Sequence, residues 1–93
     1  MKLRLTFDPA KNARNIEERG LAFTSATNFD WSSALIAEDL RQDYFERRFQ
    51  ALGYIEEHLC MLVFTPRGPS IHVISLRRAN KRERNLYATQ TQS

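Results

Sequence analysis

The stretch Ile71–Tyr87, IHVISLRRANKRERNLY, decides how this chain is organised. Ile71, Val73 and Ser75 alternate with His72, Ile74 and Leu76, the two-residue period of a strand with distinct faces. Arg77 and Arg78 follow as that strand ends. Asn80 then offers a side-chain oxygen to free amides, and Glu83 three residues on completes a capping-box spacing, so a C-terminal helix is predicted. Between Arg77 and Tyr87 five basic residues (Arg77, Arg78, Lys81, Arg82 and Arg84) stand against one acid, Glu83. A strand end and the helix leaving it therefore gather positive charge in one place. Such a run is either a solvated face with no role beyond solubility or a surface for a polyanion.

Upstream, Leu59–Thr65 is a continuous apolar run, the mark of a central strand covered on both faces. Arg67-Gly68 makes the turn after it, and Pro69, which cannot donate to a ladder, belongs at the hairpin's end. Phe45–Ile55 puts Phe45, Phe49 and Ala51 on one face and Glu46, Arg48 and Gln50 on the other, with Gly53 marking a bend or bulge. Ser33–Ala37, apolar at Ala34–Ile36, reads as a strand running into the acidic turn Glu38–Asp43.

At the other end, Lys2–Phe7 alternates Leu3, Leu5 and Phe7 with polar residues, a short strand with one wet face. Asp8 can cap the next helix and Pro9 fits its first turn, where an N–H would be unpaired anyway. Ala10, Ala13 and Ile16 give that helix a thin apolar stripe, and Gly20 suits the left-handed position after it. Phe23 and Phe29 flank Thr24–Asn28, a short second helix capped by Thr24. The order predicts one α+β domain over 1–93: a small antiparallel sheet, two N-terminal helices on one face and a short C-terminal helix. The polar Ala88–Ser93 lacks a core side chain and is expected to fray.

Composition sets the limits. Ninety-three residues with 42% hydrophobic content suffice for one core but not for a deep two-lobed cleft. Cys60 has no partner for an internal disulfide and lies in an apolar run, so a buried inert thiol is expected. No signal peptide precedes the first strand and no apolar stretch reaches the roughly 18 residues of a membrane span, so the expected compartment is the cytoplasm. Net charge is +3 but unevenly spread, with six acids against three bases in Glu38–Glu57. That asymmetry favours a polyanion on one side and a different partner on another. The chain has no glycine-rich phosphate loop, no Cys-x-x-Cys, no H-E-x-x-H and no G-x-S-x-G. No metal site and no small-molecule cofactor are therefore expected.

The order I-x-x-I-S-x-R-R-A-x-x-R-E-R-x-x-Y is carried by Ile71, Ile74, Ser75, Arg77, Arg78, Ala79, Arg82, Glu83, Arg84 and Tyr87. It resembles the C-terminal signature of the BrnT family, the toxin halves of bacterial toxin–antitoxin pairs, similar in fold to the RelE ribonucleases. Asp8, Pro9, Lys11, Gly20 and Phe23 match the family's opening. Glu46, Arg48, Phe49, Ala51 and Gly53 follow its E-x-R-F-x-A-x-G, and Thr65, Arg67 and Gly68 its T-x-R-G. The chain departs from it at Glu18-Arg19, where the family often has Lys-His, so no role of that histidine can be carried over. The resemblance implies a RelE-like ribonuclease that cleaves cellular RNA and halts translation. It also implies a BrnA-type DNA-binding antitoxin that holds the toxin inactive in a heteromeric complex. On this view the basic cluster becomes a phosphate-binding surface.

RNA brings its own nucleophile, the 2′-OH, so its cleavage needs neither a metal nor a covalent intermediate. The protein has to grip the phosphate and neutralise growing charge, which the arginine fork does at any working pH. The expected catalytic residues are Arg77 and Arg78 beside the scissile phosphate, Arg48 as a second clamp, and Glu46 as orienter or base. Arg77 and Arg78 point to opposite faces in strand geometry, and Arg77, on the Ser75 side, is favoured. Glu46 and Arg48 read equally as a surface ion pair. Arg67, Arg82, Arg84 and Tyr87 are candidates for binding substrate, although the Tyr87 ring can instead pack the last helix onto the sheet. His72, on the Leu76 face in mid-strand, reads as a core or edge histidine, and His58 lies in a turn. That leaves a carboxylate, a tyrosine or a cation of lowered pKa as the base. A reading from another class makes the chain a non-catalytic module whose arginines dock RNA or antitoxin.

Overall fold

The computed structural model describes residues 4–41, 43 and 45–91. Lys2 and Leu3 of the expected first strand, Gln42 of the acidic turn, and Gln92 and Ser93 of the expected tail lie outside the described residues. In chain order the elements are β1 (Arg4–Phe7), α1 (Pro9–Arg19), two 3₁₀ segments (Phe23–Asn28 and Trp31–Ser33), β2 (Leu35–Glu38), β3 (Phe49–Ile55), β4 (His58–Arg67), β5 (Ser70–Arg78) and α2 (Lys81–Thr91).

The five strands lie in the order β1-β5-β4-β3-β2. Strands β2 to β5 form an antiparallel meander, whereas β1 pairs parallel to β5, from Arg4 opposite Ser70 to Phe7 opposite Val73. The sheet is therefore mixed, not antiparallel as expected. Alternation in Arg4–Phe7 fixes which side chains face the core but says nothing of strand direction. Direction is set by the crossover through α1 and the 3₁₀ segments, which returns the chain to the far edge of the sheet.

The first helix forms as its end signals dictate. Asp8 accepts from the Ala10 amide at 2.9 Å, Pro9 occupies the first turn, and Gly20 at φ 65° donates its N–H to the Ile16 carbonyl. The second expected helix is instead the pair of 3₁₀ segments, and Ala22, not Thr24, sits at the first cap without a side-chain hydrogen bond. Phe23 and Phe29 are both buried, and the five residues between such anchors are too few to sustain an α-helix.

Strand β4 is central and covered on both sides, as its apolar run implied. Cys60, Leu62 and Phe64 join Phe23, Phe29, Val73 and Leu76 in the larger core, while Met61 packs with Leu52, Ala79 and Tyr87 beneath α2. Asn80 and Glu83 close the expected capping box of α2: the Glu83 amide donates to Asn80 Oδ1 at 2.8 Å, and Glu83 Oε1 accepts from the Asn80 amide at 3.0 Å. α2 then runs to Thr91, past Tyr87, with Ala88–Thr91 exposed.

Gly53 is neither a bend nor a bulge. The β3–β4 register passes through Gly53 opposite Cys60 without a shift, and the Phe29 ring fills the space a side chain would need, 2.6 Å from an ideal Cβ. The irregularity lies in β5: Val63 pairs with Ser75 and Phe64 with Val73, leaving Ile74 as the extra residue. That insertion turns His72, opposite Thr65, to the face away from Leu76, opposite Leu62. Strand β3 begins only at Phe49, so Glu46 and Arg48 belong to the loop before it.

Candidate functional site

The β2–β3 loop and the ends of β4 and β5 enclose a hollow of about 190 Å³. Its walls are Lys11 from α1, Phe45, Glu46 and Arg48 from the loop, Thr65 and Arg67 from β4, and His72, Val73 and Ile74 from β5. Two contacts pin the loop over the sheet. The Thr65 hydroxyl donates to the Arg47 carbonyl at 2.6 Å, and the Asp39 amide donates to the Arg48 carbonyl at 2.7 Å. From the other side, the extra residue at Ile74 brings His72 to the hollow.

Within it, Arg67 grips Glu46 with both arms of its fork, Nε at 3.0 Å and Nη2 at 2.7 Å. Each side chain is 47% exposed, so the pair adds little to stability and can exchange partners. The Arg67 guanidinium holds the Glu46 carboxyl below the usual carboxylate range, against the smaller opposing effect of burial. His72 is half-buried, with Nδ1 at 2.8 Å from Thr6 Oγ1. Burial, then the nearby Arg67 charge, push its imidazole below the ordinary value of 6.5, with Glu46 opposing. The ring is thus neutral at neutral pH and able to take a proton. Two guanidinium groups, an ammonium and a neutral imidazole around one hollow can bind an oxyanion and move a proton beside it.

Arg77 is differently employed. It pairs with Met61 on β4, four residues from the Thr65 that pairs with His72, so it lies on the same face about 13 Å along. Both its Nη atoms donate to Glu83 at 2.8 Å, and Glu83 is the residue that closes the cap of α2. Arg77 holds the Glu83 carboxyl below its ordinary range. Arg78 faces the other side of the sheet, where it lines a separate hollow with His58 and Cys60; burial pushes the Cys60 thiol up. Arg84 donates to the Ala79 carbonyl at 2.9 Å, Arg82 is exposed on α2, and the buried Tyr87 donates to the Ser33 carbonyl at 2.8 Å, its ring edge-on to Tyr54. Glu46, Arg48 and Arg67 therefore share one hollow, while Arg77, Arg78, Arg82, Arg84 and Tyr87 lie elsewhere.

The model of one protein family, described as the ribonuclease toxin BrnT of type II toxin–antitoxin systems, matches residues 7–83. The chain belongs to that family. No curated protein and no solved structure matches it. The BrnT match covers every wall of the hollow and ends at Glu83. Membership of the BrnT family implies an RNA substrate and an antitoxin partner. Among the described residues, no helix is long and apolar enough to cross a membrane.

Sequence reasoning passed over three residues of the hollow. His72 lies on the face opposite to the one strict alternation predicts, and the adjacent apolar pair Val73-Ile74 is where that alternation fails. Lys11 stands out in the sequence only as one of the residues that match the family's opening. Phe45, expected on a strand face, is a fully exposed ring at the rim.

Proposed function

We propose that this BrnT-family chain is a metal-independent, RelE-like endoribonuclease that cuts cellular RNA in the hollow bounded by Lys11, Arg48, Arg67 and His72, and so inhibits translation. The observation that carries the reading is the gathering of His72 with Lys11, Arg48 and Arg67 around one hollow, inside the family-matched segment. If the Thr6 hydroxyl accepts from Nδ1–H, Nε2 of His72 is free to take the 2′-OH proton. The 2′-oxygen then attacks phosphorus, the P–O5′ bond breaks, and a 2′,3′-cyclic phosphate forms. The departing 5′-oxygen takes a proton from the Lys11 ammonium or from water. No metal is required, because the nucleophile belongs to the substrate and the guanidinium groups of Arg48 and Arg67 supply the positive charge. Each such donor is worth on the order of 3–4 kcal/mol to a transition state of this kind. Glu46 parks the Arg67 fork until a phosphate takes its place. Phe45 offers a face on which a base can stack.

Neutralisation is assigned to a BrnA-type antitoxin in a cytoplasmic heteromeric complex, on the strength of the family resemblance. The test begins with expression of this chain alone and beside the neighbouring open reading frame. Growth arrest rescued by the neighbour supports the toxin reading. The purified chain should then cut RNA in the presence of a metal chelator and leave the 2′-deoxy analogue intact. Absence of cleavage, or cleavage that survives both His72→Ala and Arg48→Ala, would overturn it. A second reading, a non-catalytic RNA- or antitoxin-binding module, draws on Glu18-Arg19 standing where the family often has Lys-His. It predicts salt-sensitive binding without cleavage.

A further inference from the structure

A second hollow, of about 220 Å³, opens between α1 and β5 and adjoins the first. Lys11 and Ile74 line both, so the two are neighbours that meet at these side chains. Its origin lies in the lengths of the edge elements. Strand β1 covers the edge of β5 only from Ser70 to Val73. Beyond that point α1 takes over, with Asn15 Nδ2 donating to the Leu76 carbonyl at 2.9 Å. The outer side of α1 therefore continues the wall of the first hollow, and Lys11 to Arg19 spans about 12 Å of helix rise.

The charges along this wall are Lys11, Arg14 and Arg19 against Glu18. Arg19 donates to two neutral groups, Asn15 Oδ1 at 3.1 Å and Ser75 Oγ at 3.5 Å, which orient it while leaving its charge available to an outside anion. Asn15 is itself buried and donates to two backbone carbonyls, those of Leu21 and Leu76. A cation-lined hollow suits a sugar–phosphate backbone, and without an exposed ring on its walls it would read charge and not sequence.

We infer that the α1–β5 hollow is a subsite for the phosphates of single-stranded RNA adjoining the hollow where cleavage is proposed; the inference rests on that nuclease reading. Arg14 and Arg19 contact phosphates, and Glu18 weakens the grip. The opposite signs at neighbouring positions separate this subsite from a merely structural helix.

The test uses a non-cleavable single-stranded 2′-O-methyl oligoribonucleotide and a dinucleoside monophosphate, with dissociation constants measured across a salt series. For the oligomer, Arg14→Gln should weaken binding severalfold and reduce the slope of log affinity against log salt by about 0.7. Glu18→Gln should tighten it, and neither change should alter dinucleotide binding. Both variants silent on the oligomer, equal effects on both ligands, or an Arg14→Gln effect confined to antitoxin binding would overturn the subsite. Wild-type protein that leaves the unmodified RNA uncut while showing the oligomer effects would sink the catalytic reading and support the subsite.

Discussion

Two arginine–glutamate forks stand at opposite ends of the β4–β5 hairpin, and they differ in what surrounds them. Arg77 and Glu83 are 35% and 15% exposed, and the Glu83 carboxylate also closes the amide cap of α2. Removing Glu83 would open the helix start and leave the Arg77 charge half-buried, and removing Arg77 would leave the Glu83 carboxylate without its counter-charge. Arg67 and Glu46 have the same bidentate geometry but are each 47% exposed, over a hollow that also holds Arg48, Lys11 and a neutral His72. The same side-chain chemistry is thus committed to architecture at one end and available for exchange at the other. Pairing geometry alone does not tell a fixed arginine from an exchangeable one. Burial and the other duties of the carboxylate do.

The contrast can be broken in several ways. The largest effect is expected at the open end: His72→Ala or Arg48→Ala should slow RNA cleavage by about 10²–10³-fold with the melting temperature little changed. A comparable loss of folded protein would remove the distinction. The pH profile sharpens it further. His72 must be neutral to accept a proton, and its imidazole lies below 6.5, so cleavage should hold as pH falls through 6.5 and decline only at more acidic pH. Arg67→Ala removes one cause of that depression, so the decline should move to higher pH. A profile unmoved by Arg67→Ala would mean that His72 is not the titrating base.

At the closed end, Glu83→Ala should cost about 2 kcal/mol of stability, read by denaturant unfolding, with cleavage unchanged per folded molecule. Its folded-state carboxyl lies below the ordinary 4.5, so the contribution is present above 4.5 and is lost as pH falls through the folded value. Acid titration of Glu83→Ala should accordingly show a smaller loss of stability over that window than the parent chain. The smallest effect belongs to Glu46→Gln, which should leave the melting temperature unmoved and tighten RNA binding slightly by freeing the Arg67 fork.

Much of the fold was legible in the sequence because its signals are local. Asp8-Pro9 and Gly20 bound α1, Asn80 with Glu83 starts α2, and the run Leu59–Thr65 identifies the central strand. What was not legible depends on partners distant in the chain. The parallel pairing of β1 is decided by the crossover, and Gly53 is required by a ring twenty-four residues upstream, Phe29. The site was half legible. Glu46, Arg48 and Arg67, expected near one another, do line one hollow, but a single extra residue at Ile74 reverses the face of His72, and periodicity cannot foresee an insertion that alternation merely tolerates. Arg77, favoured over Arg78 for lying on the Ser75 side, is taken up by Glu83, an acid whose capping role was foreseen without its second bond.

The central claim is that chemistry belongs to the Arg48–Arg67–His72 end and architecture to the Arg77–Glu83 end. The most direct measurement is the single-turnover cleavage rate of Arg48→Ala and Arg77→Ala proteins on one RNA, each corrected for its folded fraction. The account predicts a rate collapsed in Arg48→Ala and near the parent's in Arg77→Ala. The reverse pattern would contradict it.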